Sequence, residues 1–210
     1  MHIFINGNKI ECSKGETLLW VALDNGIYIP HLCAIRERKE PYGACRLCFV
    51  EVEGIEFPVT ACTLKVEEGM VINTKSEKAL RLAKTSFELL LSNHPVDCRN
   101  CKKSGKCELQ RISKHLGIKL KKERFKKFIK DLPIDESSPV FIYNPNKCVL
   151  CGRCVWLCRK KLGIGGIGFG YRGFKRYVTT FADEPLGLSE CREIVELVDI
   201  CPVGAFVSKN

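Results

Sequence analysis

The sequence predicts an α+β chain built in three successive parts, and three observations predict it. Two strand-like runs, "HIFI" and "NKIEC", flank Asn6-Gly7, a strong two-residue hairpin signal. The hydrophobic period changes from 2 to 3.6 at about Ser76. Fourteen cysteines stand among 210 residues, most of them gathered in three groups.

Taken in order, the first 75 or so residues are strand-rich. After the hairpin, "TLLWVALDNG" has the length of a short helix stopped by Gly26, and "FVEVE" alternates as a strand before Gly54. Hairpin, helix, then more strands is a β-grasp-like order. From Ser76, the expected N-cap, Leu80, Ala83, Phe87, Leu90 and Leu91 fall on one helical face that ends before Pro95, with His94 continuing the stripe. A second helix is expected from about Glu108 to Leu116. "KLKKERFKKFIK" reads as a solvated basic face, with a docking patch for an acidic partner as the alternative. "DLPIDESSPV" reads as a polar linker. The remainder, from about residue 140, is a small cysteine-rich module.

At 45% hydrophobic and 28% charged, the chain is expected to bury a globular core. No apolar run approaches the roughly 20 residues of a membrane span, and the strand-like N-terminus lacks the form of a signal sequence. A cytoplasmic location is therefore expected. There disulfides rarely last, so abundant cysteines point to metal. The formal charge of +10 raises nucleic acid as a partner, but acidic residues are interspersed and neither aromatic interleaving nor a nucleic-acid-binding motif is present. Eleven thiolates around three oxidised clusters would bring the net to roughly +5.

The first cysteine group is Cys33, Cys45, Cys48 and Cys62, with the C-x2-C pair inside "GACRLC". A close pair with one upstream and one distant downstream ligand is how plant-type ferredoxins hold a 2Fe-2S cluster, although the upstream gap here is eleven residues, not four. Gly43 and Ala44 suit a loop whose amides approach sulfur. The second group, His94, Cys98, Cys101 and Cys107, could hold zinc through three thiolates and one imidazole, or a 4Fe-4S cluster whose potential the imidazole raises. The third, Cys148, Cys151, Cys154 and Cys158, follows the bacterial ferredoxin run, but Arg159 replaces its proline. In that run the fourth cysteine serves another cluster, so the first three need a distant partner, and Cys201, followed by Pro202, fits.

Cys12, Cys158 and Cys191 remain. Cys12 is expected as a small buried hydrophobe on a strand. Cys191, Ile194, Leu197 and Cys201 keep the C-x2-C-x2-C-x3-C rhythm with two ligands lost. A helix after Ser189 would carry Ile194, Val195, Leu197 and Val198 as an apolar stripe filling the space of a lost cluster. The literal G-x-G-x-x-G at Gly163, Gly165 and Gly168 follows no convincing strand, so a loop or hairpin is expected rather than a dinucleotide site. No flavin-binding sequence and no Ser/His/Asp constellation is found.

With these motifs in hand, "IPHLC...GACRLCFVEVEG...PVTAC", "LLLSNHPVDCRNCKKSGKCELQ", "NKCVLCGRCVWLC" and "DICPVGA" resemble the N-terminal iron-sulfur portion of the large electron-transfer subunit of respiratory complex I. They are equally similar to the small diaphorase subunit of NAD-reducing nickel-iron hydrogenases, and to the matching parts of electron-bifurcating hydrogenases and formate dehydrogenases. The resemblance implies one 2Fe-2S cluster on Cys33, Cys45, Cys48 and Cys62. It implies a 4Fe-4S cluster on His94, Cys98, Cys101 and Cys107, and another on Cys148, Cys151, Cys154 and Cys201. Iron would thus sit on twelve residues, with no flavin or nucleotide on the chain. The parts become a β-grasp 2Fe-2S ferredoxin-like domain over 1–76, a helical 4Fe-4S domain with one histidine and three cysteine ligands over 77–118, a linker over 119–139, and a 4Fe-4S ferredoxin-like domain with a degenerate second cluster site over 140–210.

In longer relatives a catalytic or molybdopterin-type domain follows. This sequence stops nine residues after Cys201, so the expectation is a non-catalytic relay subunit, passing electrons between a flavin subunit that handles NAD(H) or NADP(H) and a separate catalytic subunit. Hydrogenase is the favoured partner, followed by formate dehydrogenase, a bifurcating complex or a complex I-like dehydrogenase. A structural zinc module and a free ferredoxin-like carrier are the alternatives from other classes.

Overall fold

The computed structural model describes residues 1–121 and 124–209. Lys122 and Glu123, within the basic stretch expected as a solvated face, and Asn210 lie outside the described residues. The chain divides into two compact units, one of Met1–Phe87 with His115–Ile118, the other of Glu88–Lys114 with Lys119–Asn210.

In the first unit, β1 (His2–Ile5) and β2 (Asn8–Glu11) form the expected hairpin, in register from His2–Glu11 to Ile5–Asn8. Asn6 and Gly7 turn it with φ of 52° and 84°, the doubly left-handed geometry that favours this dipeptide. Helix α1 (Leu18–Asp24) follows. Its C-terminus closes as a Schellman motif: Gly26 N–H donates to the Leu23 carbonyl at 3.1 Å and Ile27 N–H to that of Ala22 at 2.8 Å, with Gly26 at φ 74°. Strands β3 (Phe49–Val52), β4 (Val59–Thr60) and β5 (Val71–Asn73) complete a sheet of order β2-β1-β5-β3-β4, in which β1 and β5 run parallel. Ile3, Ile5, Leu18, Leu19, Ala22, Val50 and Ile72 fill its core, each large aliphatic side chain contributing about 1.5–3 kcal/mol on burial. Cys12 lies one residue past β2 and is partly buried against this core.

Helix α2 (Glu77–Ser92) starts where Ser76 Oγ accepts from Ala79 N–H at 3.2 Å. Its buried line is Ala79, Ala83, Phe87 and Leu91; Leu80 and Leu90, expected in the stripe, are only half-buried. Helix α3 (Glu108–Leu116) has the expected bounds and buries Leu109, Ile112 and Leu116.

In the second unit, β6 (Phe141–Tyr143) pairs antiparallel with β9 (Phe206–Ser208). Phe206 stacks on Tyr143 with ring centroids 4.5 Å apart. Between them, α4 (Arg153–Trp156) widens into a π-turn over Leu157–Lys161, and β7 (Gly168–Gly170) pairs with β8 (Tyr177–Thr179). The glycine run therefore ends in a hairpin. The stretch expected as a polar linker is hydrogen-bonded: Asp135 and Tyr143 exchange backbone bonds of 2.8 and 2.9 Å, and Leu132 N–H and C=O both meet the Asn146 amide.

The helix expected after Ser189 is shorter than the pattern suggests. Only α5 (Glu196–Ile200) is helical. Ser138 Oγ donates to the Arg192 carbonyl at 2.5 Å, engaging an acceptor that an earlier helical start would need for itself. Leu197 is fully buried, as expected of a cluster-filling side chain, but Val195 is 55% exposed and takes no part in that packing.

The basic stretch is more than a solvated face. Arg124 pairs with the buried Glu88 at 2.9 Å, and Lys127 Nζ donates to the Leu91 carbonyl at 3.0 Å, near the C-terminal end of α2 where cations are favoured.

Candidate iron-sulfur centres

Cys33, Cys45, Cys48 and Cys62 are all buried and lie together. The sulfurs of Cys33 and Cys45 are 3.4 Å apart, and the Cys62 side chain lies within interaction range of both Cys33 and Cys48. The loop through "GACRLC" turns with left-handed φ at Gly43 and Arg46. That turn aims the backbone N–H groups of Ala44 and Cys45 at Cys33 Sγ, the approach small residues were expected to allow. The Cys45 and Cys62 side chains, with these amides, hold the Cys33 thiol far below its ordinary range, while its neighbours Cys45 and Cys62 are pushed up. Four buried thiols sharing hydrogens in this way suit a cationic core that removes the protons altogether.

His94, Cys98, Cys101 and Cys107 line a single cavity with Pro95, Lys147 and Gly204. His94 Nδ1 lies 3.1 Å from the Lys147 carbonyl. A carbonyl only accepts, so Nδ1 carries the proton and Nε2 keeps its lone pair for a metal. Burial lowers His94 to about 4, leaving the ring neutral and ligand-ready at neutral pH. The sequence could not supply this partner, 53 residues away.

Two further features of this centre escaped sequence reasoning. Cys107 immediately precedes α3, whose first backbone amides, Leu109 and Gln110, counter the burial that pushes the thiol up; Gln110 N–H itself donates to the Cys107 carbonyl at 3.0 Å. Gly204 stands so close that a Cβ there would lie 2.6 Å from Cys101 Sγ. The "CELQ" and "CPVGA" runs held these signals, but only the fold brings Gly204 to Cys101.

Cys148, Cys151, Cys154 and Cys201 form the third set. Burial pushes Cys148 up to about 11 and Cys151 up to about 12, and in both the charge of Cys201 adds to the effect. Cys201 also raises Cys154, so the distant fourth cysteine faces the other three. Leu150, with φ 54°, directs its N–H to Cys148 Sγ at 3.4 Å. Such thiols ionise only against strong positive charge, which a metal core supplies. Among the described residues no group of three or more His, Cys, Asp or Glu side chains closes on one metal ion; a cluster instead spreads its protein ligands over several irons.

Cys158 and Cys191 join neither set; their sulfurs lie against each other.

Family models match along most of the chain. Residues 1–77 match a 2Fe-2S iron-sulfur cluster binding domain, residues 84–121 the NADH-ubiquinone oxidoreductase-G iron-sulfur binding region, and residues 138–207 the ferredoxin-like domain of NADH-quinone oxidoreductase subunit 3. A solved NAD+-reducing [NiFe]-hydrogenase chain, in the H2-reduced state, superposes with a TM-score of 0.87 at 33% identity, over 99% of this chain and 87% of that one. The chain belongs to the iron-sulfur subunit family of NADH-quinone oxidoreductases and NAD+-reducing hydrogenases.

Within this family it is 36% identical to the alpha subunit of the NADPH-Fe(3+) oxidoreductase of Geobacter sulfurreducens, over 98% of this chain and 24% of that protein. It is 35% identical to a subunit of the NADH-quinone oxidoreductase of Rickettsia prowazekii, over 99% of this chain and 30% of that protein. The chain thus spans about a quarter to a third of the length of these relatives. It is an iron-sulfur electron-transfer subunit with 2Fe-2S and 4Fe-4S binding regions. No helix among the described residues is long and apolar enough to cross a membrane.

Proposed function

We propose that the chain relays electrons through three clusters, between a flavin subunit that handles NAD(P)H and a separate catalytic subunit, with a hydrogenase as that partner. A 2Fe-2S cluster is held by Cys33, Cys45, Cys48 and Cys62 on a β-grasp domain. The 4Fe-4S clusters are held by His94, Cys98, Cys101 and Cys107, and by Cys148, Cys151, Cys154 and Cys201. When bound, the clusters supply one-electron redox chemistry; the protein spaces them, tunes them and excludes water.

The observation that carries this reading is the likeness of nearly the whole chain to one chain of an NAD+-reducing [NiFe]-hydrogenase. The hydrogen bond from His94 to Lys147 supports it further, since the ring is linked to the residue next to Cys148 by one hydrogen bond. A mixed sheet with the parallel β1–β5 pair supports the β-grasp assignment.

Isolation of the native complex tests the proposal. Co-purification of a flavin subunit and a nickel-iron subunit, with cluster reduction by NADH or NADPH, is expected. A lone monomer at every salt concentration would instead favour a free carrier.

A further inference from the structure

Cys158 and Cys191 are both fully buried. They lie 33 residues apart in sequence, with Cα atoms 7.0 Å apart and their sulfurs in direct contact. Cys158 stands in the π-turn that follows α4, four residues after Cys154. Cys191 begins the segment that leads through α5 to Cys201. The pair therefore joins the two stretches that bring Cys148, Cys151 and Cys154 on one side and Cys201 on the other.

The surroundings are shaped around this pair. Ile164 N–H and Gly165 N–H both donate to the Cys158 carbonyl, at 2.9 and 3.3 Å, so the glycine run folds back over it. A Cβ on Gly166 would come within 3.1 Å of Cys191 Sγ. Ser189 Oγ accepts from Cys191 N–H at 3.2 Å, and Leu197, where a two-cluster ferredoxin would place a ligand, is fully buried nearby in sequence.

We propose that Cys158 and Cys191 form a structural disulfide that takes the place of a second ferredoxin cluster and staples the Cys148–Cys201 centre. The inference rests on the ligand assignment above, in which neither sulfur binds iron. The bond forms before the module closes, by exchange with a low-molecular-weight disulfide: the two thiols give up two protons and two electrons, and the external disulfide leaves as two thiols. Once closed, complete burial keeps reducing thiols from reaching it. Closing this loop restricts the opening that would release iron.

The test uses the full-length protein purified anaerobically with its clusters. It is denatured with N-ethylmaleimide and no reductant, digested and mapped by mass spectrometry. The expected result is a cross-linked pair of peptides carrying Cys158 and Cys191, with both residues unlabelled until a reductant is added. Both labelled without reductant would overturn the disulfide. In parallel, Cys158→Ala/Cys191→Ala is expected to keep the wild-type iron content but to lose iron to a chelator about tenfold faster or more. An unchanged loss rate would overturn the stapling role. A fall of about four irons per chain would instead overturn the ligand assignment itself, an outcome separate from the labelling result.

Discussion

At the scale of single residues, His94 and Gly204 shape the first proposed 4Fe-4S centre as much as its cysteines do. Neutral imidazole replaces one thiolate charge and raises the cluster potential. We expect His94→Cys to retain the cluster and to lower its midpoint potential in an anaerobic redox titration; a potential that stays fixed would remove His94 from the ligand set. Gly204→Ala places a methyl carbon 2.6 Å from Cys101 Sγ, far inside ordinary contact. Iron analysis should then show a loss of about four atoms per chain, and a full complement would show that the backbone there yields. Cys12, packed on the first core rather than among the other thiols, should tolerate Ser with no change in iron.

At the scale of elements, the buried Glu88 on α2 is neutralised by the half-exposed Arg124. Arg124→Ala leaves a carboxylate with its charge partner removed, and chemical denaturation should register a cost of about 1–2 kcal/mol. Lys126→Ala, removing only a cation near the Phe128 ring, should cost far less. The basic segment shows where reading from sequence stopped: runs of lysine and arginine look like solvent-facing charge until the fold supplies Glu88 and the Leu91 carbonyl. Hairpin β1–β2, helix α1 with its Gly26 stop and the bounds of α3 were legible, because each is set by neighbours within a few residues. The shortening of α5 was not, since it depends on Ser138, whose hydroxyl takes the carbonyl of Arg192 from 54 residues away. Of the centres, the candidate donor groups could be listed from their spacing, and their ligation of iron remains the proposal. Their support was not legible, because the Lys147 carbonyl and Gly204 reach the first 4Fe-4S centre only through long-range packing.

At the scale of the whole molecule, the three proposed donor sets suit the passage of single electrons. The second unit holds both proposed 4Fe-4S centres and links them through His94 and Lys147, while the 2Fe-2S donors belong to the first unit. Cys201→Ser should remove about four irons and one 4Fe-4S signal, leaving the other two centres reducible. Three proposed clusters on twelve ligands fix the content of iron, acid-labile sulfide and zinc per chain in anaerobically purified protein. About ten irons with equal sulfide and no stoichiometric zinc are expected. Zinc without sulfide would contradict the three clusters outright, and about fourteen irons would contradict the assignment of Cys158 and Cys191 as a disulfide.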